Sequence, residues 1–321
     1  MRAHFSAVGQ PVYNRAWSPV MNKLVSQLQK RNYTITKDDD LMWWRQPNDI
    51  TSDIDTGADV IIYANRTNDK YNRRGLCVGL QGPEPGYFSL DSIGVWPCLE
   101  TTYNDKYMPV EPSFYFNEMI SLLIEGKVNH YHNNYLNPGK NSPEVNVPED
   151  HILFILGKSQ DNWQTNRSNR IWQLARQSKE HGYNVVIKID PELTCTHEGL
   201  PDGTKLDKLQ NFIHDLEPYA TILTGLESLH DILKNTRVCV LDENNINLEP
   251  FMYNVPILTH GNPPYRNHVK TIVHNWEYLE SLENMDWFDK ERQYNWFQWY
   301  VTQHLCENEK DIDRRLDELG F

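Results

Sequence analysis

From residue 151 to residue 258 the chain alternates short apolar runs with amphipathic ones, and this alternation restricts the fold more than any other feature. Strands are expected at His151–Leu156, Asn184–Ile189, Thr221–Leu223, 237–241 and 255–258, and helices at 163–181, 205–216, 226–233 and near 248–253. In the first of these helices Ile171, Leu174 and Ala175 recur at helical spacing, and Gly182 supplies the stop. Parallel strands need crossovers, and crossovers cover both faces of a sheet, so the order implies a doubly wound α/β lobe. Ligands of such a sheet bind at the carboxyl ends of its strands, which fixes where chemistry is to be sought.

The preceding residues are less regular. An apolar strand over 3–8 stops at Gly9 and precedes a helix over 20–28; strands at 33–35, 59–63 and 76–80 and a helix at 114–124 follow. The stretch 81–97, broken by glycines and prolines, reads as loop. Residues 126–150 lack apolar periodicity and hold three prolines, which marks a linker. A chain of 321 residues exceeds one average core, so two lobes are expected: 1–125 and 151–275, with long helices over 276–321 packing across both.

The net charge of −13, from 44 acidic and 31 basic residues, argues against a coat for nucleic acid. The surplus is uneven: 276–321 carries −7 of it. Basic clusters at Lys30 and Arg31, at 66–74 and at 158–176 therefore leave room for a local anion site. Five cysteines without a Cys-x-x-Cys pair are expected to be reduced thiols. No apolar run approaches the roughly 18 residues of a membrane helix, and the N-terminal residues lack a signal-peptide core, so the expected location is the cytoplasm, the host's if the protein is viral.

The most specific stretch runs from Ser228 to Tyr265. The turn after strand 237–241 sets Asn244, Asn245 and Asn247 at the start of the next helix, where free backbone N–H groups favour phosphate. Glu249 falls in the first turns of that helix, placed to accept hydrogen bonds from a ribose diol or simply to favour the helix dipole. Lys188, near the end of its strand, and Gly157, Lys158 and Ser159, after the lobe's first strand, face the same edge. Gly9, which closes the chain's first strand ahead of a helix, joins this donor-side set.

The order of elements, the Ser228-Leu229-His230-Asp231 lead-in, Glu249, Val255-Pro256 and Gly261 to Tyr265 together resemble the donor-binding lobe of GT-B glycosyltransferases, most closely the capsule polysaccharide synthesis type. In that type Ser-x-x-Gly-x-Glu-Ala opens the helix and its Glu holds the nucleotide's ribose; here the pattern reads Asn244, Asn247, Glu249, Pro250. The family's Lys-x-His-Pro is matched by Lys188-Ile189-Asp190-Pro191, with Asp for His. Glu84-Pro85-Gly86-Tyr87, followed by Asp91, is similar to the acidic, glycine-bearing loop that these enzymes present near the acceptor. The resemblance makes Glu84 the candidate general base and Asp91 its reserve.

The fold so implied is α/β, of GT-B type, with two Rossmann-like lobes of one parallel sheet each. The implied co-substrate is a UDP- or CMP-linked sugar, and no metal or other cofactor is required. In size and character the chain also resembles phage enzymes that glycosylate hydroxymethylated pyrimidines of DNA. On that reading the acceptor is 5-hydroxymethylcytosine, flipped from the duplex and gripped by Arg66, Tyr71, Arg73, Arg74 and Tyr87. The alternatives are a capsule or cell-surface polysaccharide glycosyltransferase, a sugar-nucleotide epimerase and a non-catalytic binding module. Asp53-Ile54-Asp55 matches a metal clamp of another transferase fold but follows no apolar strand. His130 and His132 have no third metal ligand nearby in the sequence.

Overall fold

The computed structural model describes residues 1–9, 17–37, 57–64, 75–80, 82, 86–92, 109–128, 143–156, 166–189, 203–241, 248–260, 263 and 265–321. The strands are β1 (Arg2–Gly9), β2 (Thr34–Lys37), β3 (Val60–Ala64), β4 (Gly75–Leu80), β5 (Phe88–Asp91), β6 (His151–Leu156), β7 (Asn184–Ile189), β8 (Thr221–Leu223), β9 (Thr236–Leu241), β10 (Ile257–Thr259) and β11 (Lys270–Thr271). The helices are α1 (Trp17–Lys30), α2 (Phe114–Gly126), α3 (Asn166–Glu180), α4 (Gly203–Leu216), α5 (Leu229–Leu233), α6 (Glu249–Met252), α7 (Asn275–Glu283), α8 (Lys290–Trp299) and α9 (Glu309–Glu318). Two compact units result, Met1–Phe116 with Trp296–Phe321, and Asn117–Asn295.

The first unit holds a sheet in the order β2-β1-β3-β4-β5. The first four strands are parallel, and β5 runs antiparallel to β4 as an edge strand. Val20, Met21, Leu24 and Leu28 recur at helical spacing on α1 and enter one core with Ala3, Phe5, Val60, Ile62, Leu76 and Val78. Ile312 and Leu316 of α9 join the same core from the other end of the chain. Asn308 caps α9 by accepting from the Lys310 and Asp311 amides, while the Asp311 side chain reaches back.

The second unit holds a wholly parallel sheet in the order β11-β10-β9-β6-β7-β8. Counted from β6 this is the doubly wound order 3-2-1-4-5-6. Ile152, Phe154 and Leu156 alternate with their neighbours to one face, where Val185, Ile187, Ile189, Val238 and Val240 join them under Leu174 of α3 and Tyr278 of α7. Gly182, at φ +85°, ends the turn after α3 in the left-handed region that a glycine enters without strain.

Three expectations change. Residues 88–91, read as loop, form β5, and all four are buried. The C-terminal residues fold not as long helices but as α7, α8 and α9, with a π-helical turn at Tyr300–His304. Of these, α7 belongs to the second unit and α9 to the first, and the chain crosses between units within α2 and α8. Finally, Lys30 and Arg31 are no anion site: Lys30 pairs with Glu309 at 2.8 Å, and Arg31 with Asp317 at 2.6 Å and Asp313 at 3.2 Å. Cys77, Cys239 and Cys306 are buried free thiols.

Candidate functional site

A doubly wound sheet opens a crevice where the strand order reverses, at the carboxyl ends of the two strands that flank the reversal. In the second unit those strands are β6 and β9. The chain leaves β6 at Leu156, just before Gly157, Lys158 and Ser159, and leaves β9 at Leu241, just before Asn244 and Asn245. These five residues lie outside the described residues. The chain returns at Leu248, the cap of α6, so the described helix starts on Glu249 itself rather than on the asparagines.

Glu249 is 1% exposed. Its charge reaches Cys239 on β9, where burial first and then that carboxylate push the thiol well above its ordinary value. The same carboxylate acts on Tyr253, whose hydroxyl is pushed up mainly by burial and next by Asp231. Tyr253 and His230 lie 3.2 Å apart, oxygen to Nδ1, and His230 Nε2 is 2.6 Å from the Val128 carbonyl. A carbonyl only accepts, so Nε2 carries the proton, and in the neutral ring Nδ1 accepts from the Tyr253 hydroxyl. Asp231 is held by Lys127 at 2.5 Å and Lys234 at 3.0 Å. The Ser228-to-Asp231 stretch thus forms a fully engaged support under α6, except for the Ser228 hydroxyl, which is buried without a hydrogen-bond partner.

Lys188 occupies the penultimate position of β7, on the face opposite Ile187 and Ile189. Its ammonium donates to the Gly225 carbonyl at 2.5 Å and to Glu227 Oε2 at 2.9 Å. The same oxygen accepts the Gly225 amide at 2.9 Å. Burial pushes the Glu227 carboxyl up, but the hydrogen bond and charge of Lys188 outweigh it and leave the group below its ordinary value. Glu227, Tyr253 and the roles of His230 were not singled out from the sequence. The signal available there was a glutamate just beyond a strand, two residues after a glycine.

In the first unit the sheet order reverses between β1 and β3, whose last residues, Gly9 and Ala64, are register partners. Arg66, Tyr71, Arg73 and Arg74 follow β3, and Glu84 follows β4, all outside the described residues, as do Asp53, Asp55, His130 and His132. Tyr87 is only 7% exposed, packed so closely against Gly82 that a Cβ there would meet the Tyr87 Cβ at 2.2 Å. Asp91 is fully buried. Its Oδ1 lies 3.5 Å from Arg315, its Oδ2 lies 3.6 Å from His304 Nε2, and Arg315 also donates to the Leu90 carbonyl at 2.7 Å. Among the described residues no group of three or more His, Cys, Asp or Glu side chains is placed to hold a metal ion. Among them, too, no helix is long and apolar enough to cross a membrane.

Two α/β units, each built on a largely parallel sheet, with C-terminal helices shared between them, define the GT-B fold. Solved structures of that fold match nearly the whole chain. The chain is similar to the KpsC β-Kdo 2,7-transferase of Thermosulfurimonas dismutans, with 12% identity, 99% of each chain covered and a TM-score of 0.50. It is similar also to the KpsC β-Kdo 2,4-transferase of that organism, with 11% identity, 92% of this chain and 89% of that one covered, and a TM-score of 0.51. A UDP-GlcNAc 2-epimerase of Methanocaldococcus jannaschii, solved with UDP-GlcNAc and UDP, matches at 10% identity, full coverage of both chains and a TM-score of 0.41. No protein-family model and no curated protein matches the chain.

Proposed function

We propose that the protein is a glycosyltransferase that moves a sugar from a UDP- or CMP-linked donor to a hydroxyl of a glycan. The observation that carries the reading is the position of Glu249: a buried carboxylate that opens the helix after β9, at the reversal of a GT-B donor-type sheet. There it accepts from the ribose diol. Lys188, on the same sheet edge, offsets phosphate charge.

Glu84, on the segment that follows β4, is the general base. It takes the acceptor hydroxyl's proton as that oxygen bonds the anomeric carbon, and the bond from that carbon to the phosphate oxygen breaks, releasing the nucleotide with its electron pair. Asp91, locked between Arg315 and His304, is assigned to the fold instead. A glycan acceptor is favoured over DNA because two solved structures similar to this chain, with TM-scores of 0.50 and 0.51, are Kdo transferases. Tyr87, on which the DNA reading drew for stacking, is only 7% exposed.

The test is a panel of UDP- and CMP-linked sugars, Kdo among them, in excess EDTA, with glycan acceptors or hydroxymethylated DNA and nucleotide release as the readout. Turnover on a glycan is expected. Turnover only on modified DNA restores the phage-type acceptor, and strict dependence on a divalent ion returns attention to Asp53 and Asp55. Glu249→Ala is expected to weaken nucleotide binding by about 1 to 3 kcal/mol, the scale of a charge-assisted hydrogen bond. Glu84→Gln is expected to lower kcat roughly 10²- to 10⁴-fold with nucleotide affinity intact.

A further inference from the structure

We infer that Glu227 is an internal competitor for Lys188 and that it, rather than Lys188 alone, sets how tightly the donor's phosphate is held. The inference rests on the second unit being the donor site.

The geometry gives the pair a direction. Lys188 has a side chain only 6% exposed, whereas that of Glu227 is 20% exposed, so the solvent-facing member of the pair is the anion. An anion that reaches the ammonium therefore comes to lie beside a carboxylate charge. That carboxylate is firmly seated: one oxygen receives both the Lys188 ammonium and the Gly225 amide, and the Gly225 carbonyl takes a further ammonium proton. Residues 225–227 thus fold round the head of Lys188 as a small anionic turn on the carboxyl edge of β7 and β8. A phosphate reaches the ammonium by displacing this turn or by sharing the ammonium against the repulsion of a fixed negative charge.

A second observation concerns the residue that follows. The Ser228 hydroxyl is 2% exposed and makes no hydrogen bond. A buried hydroxyl without a partner is costly in a finished core and is satisfied if a ligand oxygen arrives beside the turn. Among the described residues, Lys127 and Lys234 are engaged by Asp231. Neutralising Glu227 while keeping its shape therefore removes a fixed negative charge that opposes a phosphate at Lys188.

Calorimetry with UDP and CMP as probes tests this on the full chain, comparing wild type with Glu227→Gln, Lys188→Gln and the double variant. Glu227→Gln is expected to tighten binding about fivefold or more, within the usual range of a coupling between sites, and Lys188→Gln to weaken it. In the Lys188→Gln background the gain from Glu227→Gln should largely vanish. Should Glu227→Gln fail to fold, Glu227→Asp, which withdraws the carboxylate by one methylene, takes its place and should shift affinity the same way. Unchanged or weaker binding in the Glu227 variant, with wild-type binding intact, overturns the proposal and leaves the donor site standing. Absence of nucleotide binding by the wild type overturns the donor site itself.

Discussion

Asp91 is a buried carboxylate with a guanidinium beside it. It has no access to water, and its two oxygens face Arg315 and His304. Burial keeps the His304 imidazole below its ordinary value even beside Asp91, so the guanidinium of Arg315 supplies the compensating charge. Removing one partner of such a pair typically costs about 3 to 5 kcal/mol, because the other charge is left uncompensated. Arg315→Met is expected to lose stability on that scale in urea unfolding, and Asp91→Asn added to it should recover part of the loss. If the double variant is no more stable than the single one, the pairing is not what holds the site. At this scale the sequence was informative wherever a residue's place followed from a local pattern. The place of Glu249 at the start of a helix was legible because strand, turn and helix follow one another within a dozen residues. Lys188 and Glu227 meet only through the pairing of β7 with β8, and the confinement of Asp91 depends on residues beyond 300; neither leaves a trace in local spacing.

Among the elements, β6, β7 and β8 stand where the apolar runs put them, whereas β10 lies two residues later at its start than expected and the two-residue β11 was not expected at all. Nor was β5, because a four-residue strand flanked by glycine and proline carries no such run and is stabilised by distant chain, including a two-way backbone bridge from Phe88 to Cys306. Short elements can also carry pH dependence, as the 3₁₀ turn Arg266–His268 does. Burial, then the nearby charge of Arg292, pulls the His268 imidazole from 6.5 to about 3. Between those values the unfolded chain binds a proton that the folded one refuses. The contribution is thus complete above pH 6.5 and falls as pH drops towards 3, by at most about 1.4 kcal/mol per pH unit. Unfolding midpoints measured from pH 7 to pH 4 should fall less steeply in His268→Asn than in the wild type. Some slope should remain, since His151 and His304 are also pulled down by burial. Equal slopes in the two proteins would remove His268 from this account.

At the scale of the whole molecule, the two units differ in how they are cut from the chain. The second is continuous, Asn117–Asn295, while the first needs both Met1–Phe116 and Trp296–Phe321. Without the C-terminal piece its core lacks Cys306, Ile312 and Leu316, and Asp91 loses Arg315 and His304. Residues 117–295 expressed alone are expected to unfold cooperatively in urea, and residues 1–116 alone to show no such transition until a peptide of residues 296–321 is added. Cooperative unfolding of 1–116 by itself would show that the C-terminal piece is dispensable. The split has a further consequence for the order of events on the ribosome. Domains generally close in the order in which they emerge. Here the first unit is completed after the second, and the nascent chain must make β5 some two hundred residues before Cys306 and Arg315, which bond to Phe88 and Leu90, are made.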